Sequence, residues 1–320
     1  MIRIYRSGCA ACEGVEIDVE GWTLPPDTLW IDLIEPTREE DVAIENALGL
    51  SIPTREEMNE LEASSRLYRE NGATYCTADI LHNSEAELPT VDPVTFILTH
   101  GPLVTIRYFD PRPFTIFTDR LERAPSMCES GADMFLNLME AIIDRASEVL
   151  SRVAAKVEGV SSHVFAGRKT VGYEHLITKL GRSQIANSRI EQSLSGLSRV
   201  FAFVALDERL EMEGEKREHL KSLGRDATSL LGHSQAVAAG INFQLSATLG
   251  LINIQQSSIF KVFSLVTVAL MPPTLIGAVY GMNFEHMPEL TWPLGYPMAL
   301  ILMVLSSAIP LMWFKRRGWF

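Results

Sequence analysis

Cysteine is scarce in this chain, and the few that occur do not form a complete metal-binding or disulfide pattern. The four cysteines among 320 residues are Cys9, Cys12, Cys76 and Cys128. Cys9 and Cys12 have the spacing of a zinc knuckle, but no second pair follows at the distance that a structural zinc site requires. We therefore expect reduced thiols in a cytosolic part of the protein.

Basic residues are scarce in the first part of the chain. Residues 1–130 carry 24 aspartates and glutamates against 10 lysines and arginines, whereas residues 131–320 carry 16 against 18. Nucleic-acid binding needs clustered lysine and arginine to displace counterions, so this acidic part argues against nucleic acid as a partner. Carboxylate oxygens instead suit hard divalent cations such as Mg²⁺.

Motifs for nucleotide binding and for the common kinds of catalysis are also missing. The chain has no G-x-x-x-x-G-K-[S/T] loop, no H-E-x-x-H pair and no Ser/His/Asp arrangement. We expect neither a nucleotide partner nor an enzymatic activity. The first residues also lack the apolar segment of a secretory signal, which favours a cytoplasmic location for this part. The seven scattered histidines are expected to be surface or packing residues: His82, His100, His163, His175, His219, His233 and His286.

Charge is absent from two long segments near the end of the sequence. No charged residue occurs in 262–282 or in 294–314. Each segment corresponds to roughly 31 Å of helix, which matches the hydrocarbon thickness of a bilayer. A buried helix of a soluble protein is the alternative. Two successive full-length segments with charges on both sides favour transmembrane helices.

The charges around these segments predict their orientation. Lys261 precedes the first segment and the basic tail 315–320 follows the second, whereas the loop 283–293 has Glu285 and Glu289 but no lysine or arginine. The positive-inside rule then places both chain ends in the cytoplasm and the loop outside a bacterial inner membrane. At this outer mouth the two carboxylates raise the local cation concentration. Aromatic residues expected at the interfaces are Trp292, Tyr296, Trp313 and Trp319.

Small and polar residues form one stripe along the first segment and the residues before it. They recur three or four positions apart, which is one helical face: Ser257, Ser264, Thr267, Met271, Thr274, Ala278 and Gly281. Two spans cannot enclose an aqueous path, so conduction requires several copies around one axis. The second segment has only Ser306 and Ser307 as hydroxyl residues, which favours a lipid-facing position.

Helix packing without a pore is an equally good explanation of this stripe. Gly277 and Gly281 form a G-x-x-x-G pattern, which allows close contact between helices. Pro272 and Pro273 favour the pore slightly, because the backbone carbonyls that they free need water or a polar neighbour.

Asn283 follows directly where the first uncharged segment ends. Several copies of this residue around an axis form a ring of neutral amide oxygens. Mg²⁺ loses its water reluctantly, so such a ring can hold the hydrated ion through its water shell. Gly281 allows the backbone to approach this mouth. The alternative is that Asn283 caps the end of the helix.

The remaining sequence predicts an α+β membrane protein with an N-terminal cytoplasmic α/β layer domain, residues 1–130, and a helical stalk, residues 131–261. Four segments rich in β-branched and aromatic residues predict strands: 29–34, 73–80, 93–99 and 103–108. The two T-R-E-E segments, at 37–40 and 54–57, predict helices that begin with a threonine N-cap. A later helix is expected at 173–204. Another is expected to run from near Leu206 to Tyr280, over roughly 110 Å.

Residues around the Gly-Met-Asn segment carry a family resemblance. Y-G-M-N-F-E-H-M-P-E-L at 280–290, G-Y-P at 295–297 and F-K-R-R-G-W-F at 314–320 resemble the CorA family of magnesium transporters. Segments 30–40 and 53–66 extend the resemblance into the N-terminal half, so it covers nearly the whole chain.

The resemblance implies a homopentamer in the lipid bilayer, with the first span lining the pore and the second surrounding it. Gly281, Met282 and Asn283 match the entrance filter. Ser257 stands where some members carry an asparagine, so this chain departs from those members at the inner end of the pore. The resemblance implies a pore-lining face with Ser257, Phe260, Phe263 or Ser264, Met271 and Thr274, and a hydrophobic constriction formed by Phe260, Phe263 and Met271. The stripe adds Thr267 and Ala278 to the predicted pore-lining residues.

In the family, cytoplasmic divalent ions bind between subunits and hold the pore closed, so magnesium is both cargo and regulator. The resemblance suggests Asp226 as a regulatory ligand, with Asp79 or Asp92 as its partner from the first domain. Ordinary surface charge is the alternative for each. Cobalt and nickel are further candidate cargoes. A zinc transporter of the ZntB branch, with His286 as a ligand, and a non-conducting membrane-anchored sensor are the competing functions.

Overall fold

Two compact units make up the chain in its computed structural model, residues 1–245 and 246–320. The described residues are 1–8, 13–15, 23–60, 62–86, 88–165, 172–210, 212, 214–283, 285 and 287–318. Cys9, Cys12, His286 and Trp319 lie outside the described residues. Cys76 and Cys128 are buried and free, and burial raises the pKa of both thiols, which keeps them protonated at neutral pH.

A mixed sheet is the centre of the first unit. Its strand order is β2-β1-β3-β7-β6-β5-β4, and only β3 and β7 pair in parallel. The strands are β1 (Ile2–Arg6), β2 (Glu13–Val15), β3 (Thr28–Ile34), β4 (Leu67–Glu70), β5 (Ala73–His82), β6 (Thr90–Leu98) and β7 (Leu103–Arg107). The four strands that the sequence predicts are confirmed as β3, β5, β6 and β7.

Short helices connect these strands. They are α1 (Arg38–Leu48), α2 (Arg55–Met58), α3 (Ala63–Arg66) and α4 (Arg112–Arg123). Both predicted threonine N-caps are confirmed: Thr37 and Thr54 each form a capping box with the glutamate three residues later.

Four long helices follow, namely α5 (Gly131–Phe165), α6 (Tyr173–Ala205), α7 (Glu215–Tyr280) and α8 (Gly295–Arg316). The expected start of α7 near Leu206 is wrong. Asp207 accepts hydrogen bonds from Thr74 on β5 and from the Arg209 backbone, and it pairs with Arg69 at 3.1 Å. These contacts hold the segment after α6 against the sheet edge, so the helix begins later.

The two faces of the sheet are covered by different parts of the first unit. One face, with Ile80 and Phe96, packs against α4, α5, α6 and the start of α7 in one apolar core. The other face packs against α1 and the residues around Met58. Residues before and after position 130 therefore share a core, and the predicted division at 130 and at 261 stays a prediction.

Candidate ion-conduction site

Two helices contain apolar stretches long enough to cross a membrane. They are the C-terminal part of α7 and most of α8, and both stretches are almost entirely unburied within the chain. Apolar helices with so little burial are unfavourable in water, so these surfaces need lipid or other protein to cover them.

The predicted pore face of α7 is exposed along its whole length. Phe260, Phe263 and Met271 are 62%, 67% and 64% exposed. The hydroxyl groups of Thr267 and Thr274 donate to backbone carbonyls of their own helix, at 2.9 and 2.7 Å, so each hydroxyl hydrogen is satisfied within the helix. The other predicted members, Ser257, Ser264 and Ala278, are exposed as well.

The opposite side of α7 is partly covered within the second unit. A side chain added at Gly277 would lie 3.4 Å from Met303 on α8, which places this glycine at the contact between the two helices. Partly buried residues on this side include Leu265, Ala269, Pro272, Pro273, Ile276, Gly277 and Tyr280. At about 100° per residue, the exposed stripe covers roughly a third of the helix circumference on the other side.

This geometry separates the two explanations of the sequence pattern. Gly277 serves close packing against α8, whereas the hydroxyl-bearing stripe faces away from that contact. Pro272 and Pro273 lie on the covered side of α7, so these prolines do not favour a pore on the exposed side.

The side of α8 that carries its small residues is covered too. Gly295 and Ala299 are buried, and Ser306 and Ser307 are partly buried. Ser306 donates its hydroxyl to the Met303 carbonyl at 2.9 Å. Large apolar side chains such as Ile301, Val304, Ile309 and Met312 are exposed, as expected for a surface in contact with lipid.

The Gly-Met-Asn segment stands at the C-terminal end of α7. The Gly281 amide donates to the Gly277 carbonyl at 3.0 Å and the Met282 amide to the Val279 carbonyl at 3.3 Å. Asn283 is exposed, and its side chain forms no hydrogen bond with the residues that the structure describes. The helix therefore ends through backbone contacts, which leaves the Asn283 amide available to a ligand.

The loop 283–293 is fixed to the start of α8. Glu285 is exposed, and Glu289 lies in a short 3₁₀ helix, Pro288–Thr291. A Cβ atom at Gly295 would lie 2.3 Å from the Glu289 carbonyl oxygen, so only glycine permits this approach. The Gly295 amide also donates to the Trp292 carbonyl at 3.0 Å.

Comparison with known proteins agrees with the two-span architecture. The family described as "CorA-like Mg2+ transporter protein" matches residues 26–316. The chain belongs to the CorA family. The magnesium transport proteins CorA of Salmonella typhimurium and of Escherichia coli K12 are 31% identical over 294 residues, which is 92% of this chain and 92% of each relative.

Solved structures show the CorA fold over the full length. The CorA magnesium transporter of Methanocaldococcus jannaschii has a TM-score of 0.79 at 20% identity and covers 100% of this chain and 98% of its own. The full-length CmaX protein has a TM-score of 0.75 at 14% identity, covering 98% and 96%. The ZntB cytoplasmic domain of Vibrio parahaemolyticus reaches 0.51 at 10% identity, covering 80% and 96%.

The three predicted regulatory aspartates have different surroundings. Asp79 is 8% exposed, and its carboxylate accepts hydrogen bonds from Arg66 at 3.1 Å and from Gln192 at 2.8 Å. Asp92 contacts the His82 ring. Asp226 is exposed and forms no ion pair with the described residues.

Asp79 and Asp92 are also not neighbours across the strands. Asp79 is opposite Pro93 and Ile80 is opposite Asp92, so the alternation of side chains directs the two carboxylates to opposite faces. Among the residues described, no group of three histidine, cysteine or carboxylate side chains could hold a metal ion.

Proposed function

We propose that this protein is a passive magnesium uptake channel, driven by the membrane potential and closed by cytoplasmic divalent cations. The observation that supports this most is the exposed stripe of α7, which faces away from α8 and leads to an Asn283 amide without a hydrogen bond to described residues. The names of the curated relatives, magnesium transport proteins, agree with this cargo.

The channel requires a homo-oligomer, and the family relationship favours a pentamer. Copies of α7 surround the axis with Ser257, Phe260, Thr267 and Thr274 toward it. Copies of α8 form the outer ring in the bilayer. The charge pattern supports an inner-membrane location with both termini in the cytoplasm and the loop 283–293 outside.

Selection begins at the outer mouth. Glu285 and Glu289 raise the local concentration of cations, and Asn283 amides receive the hydrated ion through its waters. Gly281 and Met282 complete the filter. Phe260, Phe263 and Met271, each more than 60% exposed in the single chain, form the constriction that closes by excluding water.

The membrane potential supplies the driving force. Two charges that cross 100 mV, inside negative, release about 4.6 kcal/mol, so uptake needs no nucleotide. Cobalt and nickel are proposed as secondary cargoes, because carbonyl oxygens at a hydrated-ion filter discriminate weakly among small divalent ions.

Closure is proposed to depend on a divalent ion bound between neighbouring subunits. Asp226 is the best-placed ligand, because its exposed carboxylate forms no ion pair with described residues. Asp79 would have to exchange the Arg66 guanidinium for the metal, and Asp92 would have to leave His82. Because the Asp79 and Asp92 carboxylates point to opposite faces of the sheet, a single ion can bind only one of them within a chain.

Vesicles that contain the full-length protein and a magnesium-sensitive dye provide the test. We expect Mg²⁺ uptake that follows an imposed inside-negative potential and falls to background with Asn283→Ala. Ser306→Ala, on the covered side of α8, is the control and should retain uptake. Equal uptake by Asn283→Ala and wild type, or uptake that does not depend on the membrane potential, would overturn the proposal.

The same assay separates the competing functions. Zinc uptake without Mg²⁺ uptake would identify a transporter of the ZntB kind, whose solved cytoplasmic domain shares only the fold with this chain. Absence of any ion flux would identify a membrane-anchored sensor.

A further inference from the structure

A cavity of about 280 Å³ lies between α5 and α6, in the first unit. Its polar lining consists of Lys156 from α5 and His175, Thr178, Lys179, Arg182 and Ser183 from α6. The α6 residues recur every three or four positions, so they share one face of the helix. Nothing in the conduction path uses these residues.

All the permanent charges that line this cavity are positive. Three permanent cations line it, and no carboxylate does among the described residues, although the whole chain has a net charge of −12. Lys156 and Lys179 form no ion pair with any described residue. Two ammonium groups on one cavity without a carboxylate partner repel each other, so an anion bound beside Lys156 and Lys179 lowers the energy of this arrangement.

We infer that this cavity binds a phosphate group, as inorganic phosphate or a small phosphomonoester. Its volume of about 280 Å³ lies just below the roughly 300–1,000 Å³ of typical ligand pockets, which fits a compact anion better than a nucleotide. Arginine and lysine supply the charge-assisted donors that phosphate oxygens accept. The Ser183 hydroxyl adds a neutral donor, and Ser183 is only 5% exposed. The Thr178 hydroxyl is not counted among these donors, because it donates to the Glu174 carbonyl at 2.9 Å.

This site differs in chemistry from the cation path. It sits on helices α5 and α6, and its ligand has the opposite charge to the proposed cargo. Binding of phosphate there requires no Mg²⁺ flux, so either proposal can be wrong while the other is right.

Calorimetric titration of the full-length protein in detergent, without divalent cations, tests the inference with inorganic phosphate and glycerol phosphate at constant ionic strength in chloride. We expect wild type to bind at least one of them, and the variant Lys156→Gln/Lys179→Gln to bind about tenfold more weakly or worse. Arg189→Gln, an exposed residue of α6 outside the cavity, is the control and should bind like wild type.

Lysine acetylation of the wild type gives a second measurement that does not depend on a variant. Phosphate should slow acetylation of Lys156 and Lys179 at least severalfold and leave Lys221 unchanged. Absence of binding by wild type, equal binding by the double variant, or equal protection of all three lysines would overturn the assignment.

Discussion

The two units of this chain differ in how far they bury apolar side chains. Phe96 in the sheet is fully buried, whereas Phe263 on α7 is 67% exposed. The first unit covers its apolar residues with its own helices and strands. The second cannot, because two helices offer too little surface to cover each other. The first unit therefore buries its apolar residues within its own fold, whereas the apolar surface of the second needs lipid or other protein to cover it.

The treatment of charge differs in the same way. The first unit buries charges but pairs them, as Arg107 with Asp32 at 2.9 Å and Arg145 with Glu85 at 2.6 Å. The second unit keeps residues 262–282 and 294–314 free of charge. A buried charge of the first unit keeps a partner from its own fold, whereas hydrocarbon offers an unpaired charge no partner.

The largest effect on stability is expected at the buried pair of the first unit. Arg107→Met leaves the Asp32 carboxylate buried without its cation, and we expect a loss of about 3–5 kcal/mol in the free energy of unfolding. Arg112→Met, which removes an exposed partner of Glu85, should change it by about 1 kcal/mol or less.

Thermal unfolding of the full-length protein, followed by circular dichroism, measures both variants. The double variant Asp32→Leu/Arg107→Met should recover much of the lost stability, because no unpaired charge remains. Equal melting temperatures for Arg107→Met and Arg112→Met would show that the first unit does not depend on pairing its buried charges.

The next effect concerns communication between the cytoplasmic residues and the pore. Asp226→Lys should raise the internal Mg²⁺ concentration that half-closes the channel by roughly fivefold or more, the lower end of usual coupling energies. Glu218→Lys, an exposed residue on the same helix that pairs with Lys221, is the matched control. Dye-loaded vesicles with controlled internal Mg²⁺ give the measurement, and an unchanged half-closing concentration in Asp226→Lys would remove Asp226 from the regulatory site.

A smaller effect distinguishes the exposed stripe of α7 from the covered side of α8. Thr274→Val removes one hydroxyl from the exposed stripe, and we expect a few-fold lower Mg²⁺ uptake, equivalent to about 1 kcal/mol per lost contact. Ser306→Ala removes a hydroxyl from the covered side of α8 and should leave uptake unchanged. The reverse result, with Ser306→Ala the slower variant, would show that the conduction face has been assigned to the wrong side.

The smallest effect is a pH dependence of the first unit. Partial burial raises the pKa of Asp41 to about 6, above its ordinary value of 3.8, and its Oδ1 atom is buried without a hydrogen-bond partner among described residues. The folded state thus binds this proton more tightly than the unfolded state does. Stability from this group is present below about pH 4 and is lost as the pH rises to about 6.

Asp41→Asn should therefore raise stability at pH 7 by about 1 kcal/mol or less, after solvent screening is allowed for, and should leave it nearly unchanged at pH 4. Melting temperatures at the two pH values measure this difference. A stabilisation that is the same at both would assign the effect to packing instead of charge.

Local sequence patterns predicted the strands that are rich in β-branched and aromatic residues and the helices that begin with a threonine N-cap. Strand β5, fully buried along nearly its whole length, and the capped helix α1 are examples. Strands β1 and β4 and helix α4 went unpredicted. Strand β4 is half exposed, and its four residues alone do not show that it pairs with β5. The start of α7 was placed too early, because Asp207 reaches back to Thr74 over a long sequence separation.

For the candidate site, the two uncharged spans, the acidic loop between them and the position of Asn283 are visible in the sequence, because charge and length are properties of consecutive residues. The folded chain was needed to show which side of α7 contacts α8, that Gly277 and not the hydroxyl stripe makes this contact, and that Arg66 pairs with Asp79. Those contacts join residues from distant parts of the chain, so they leave no pattern in the local sequence.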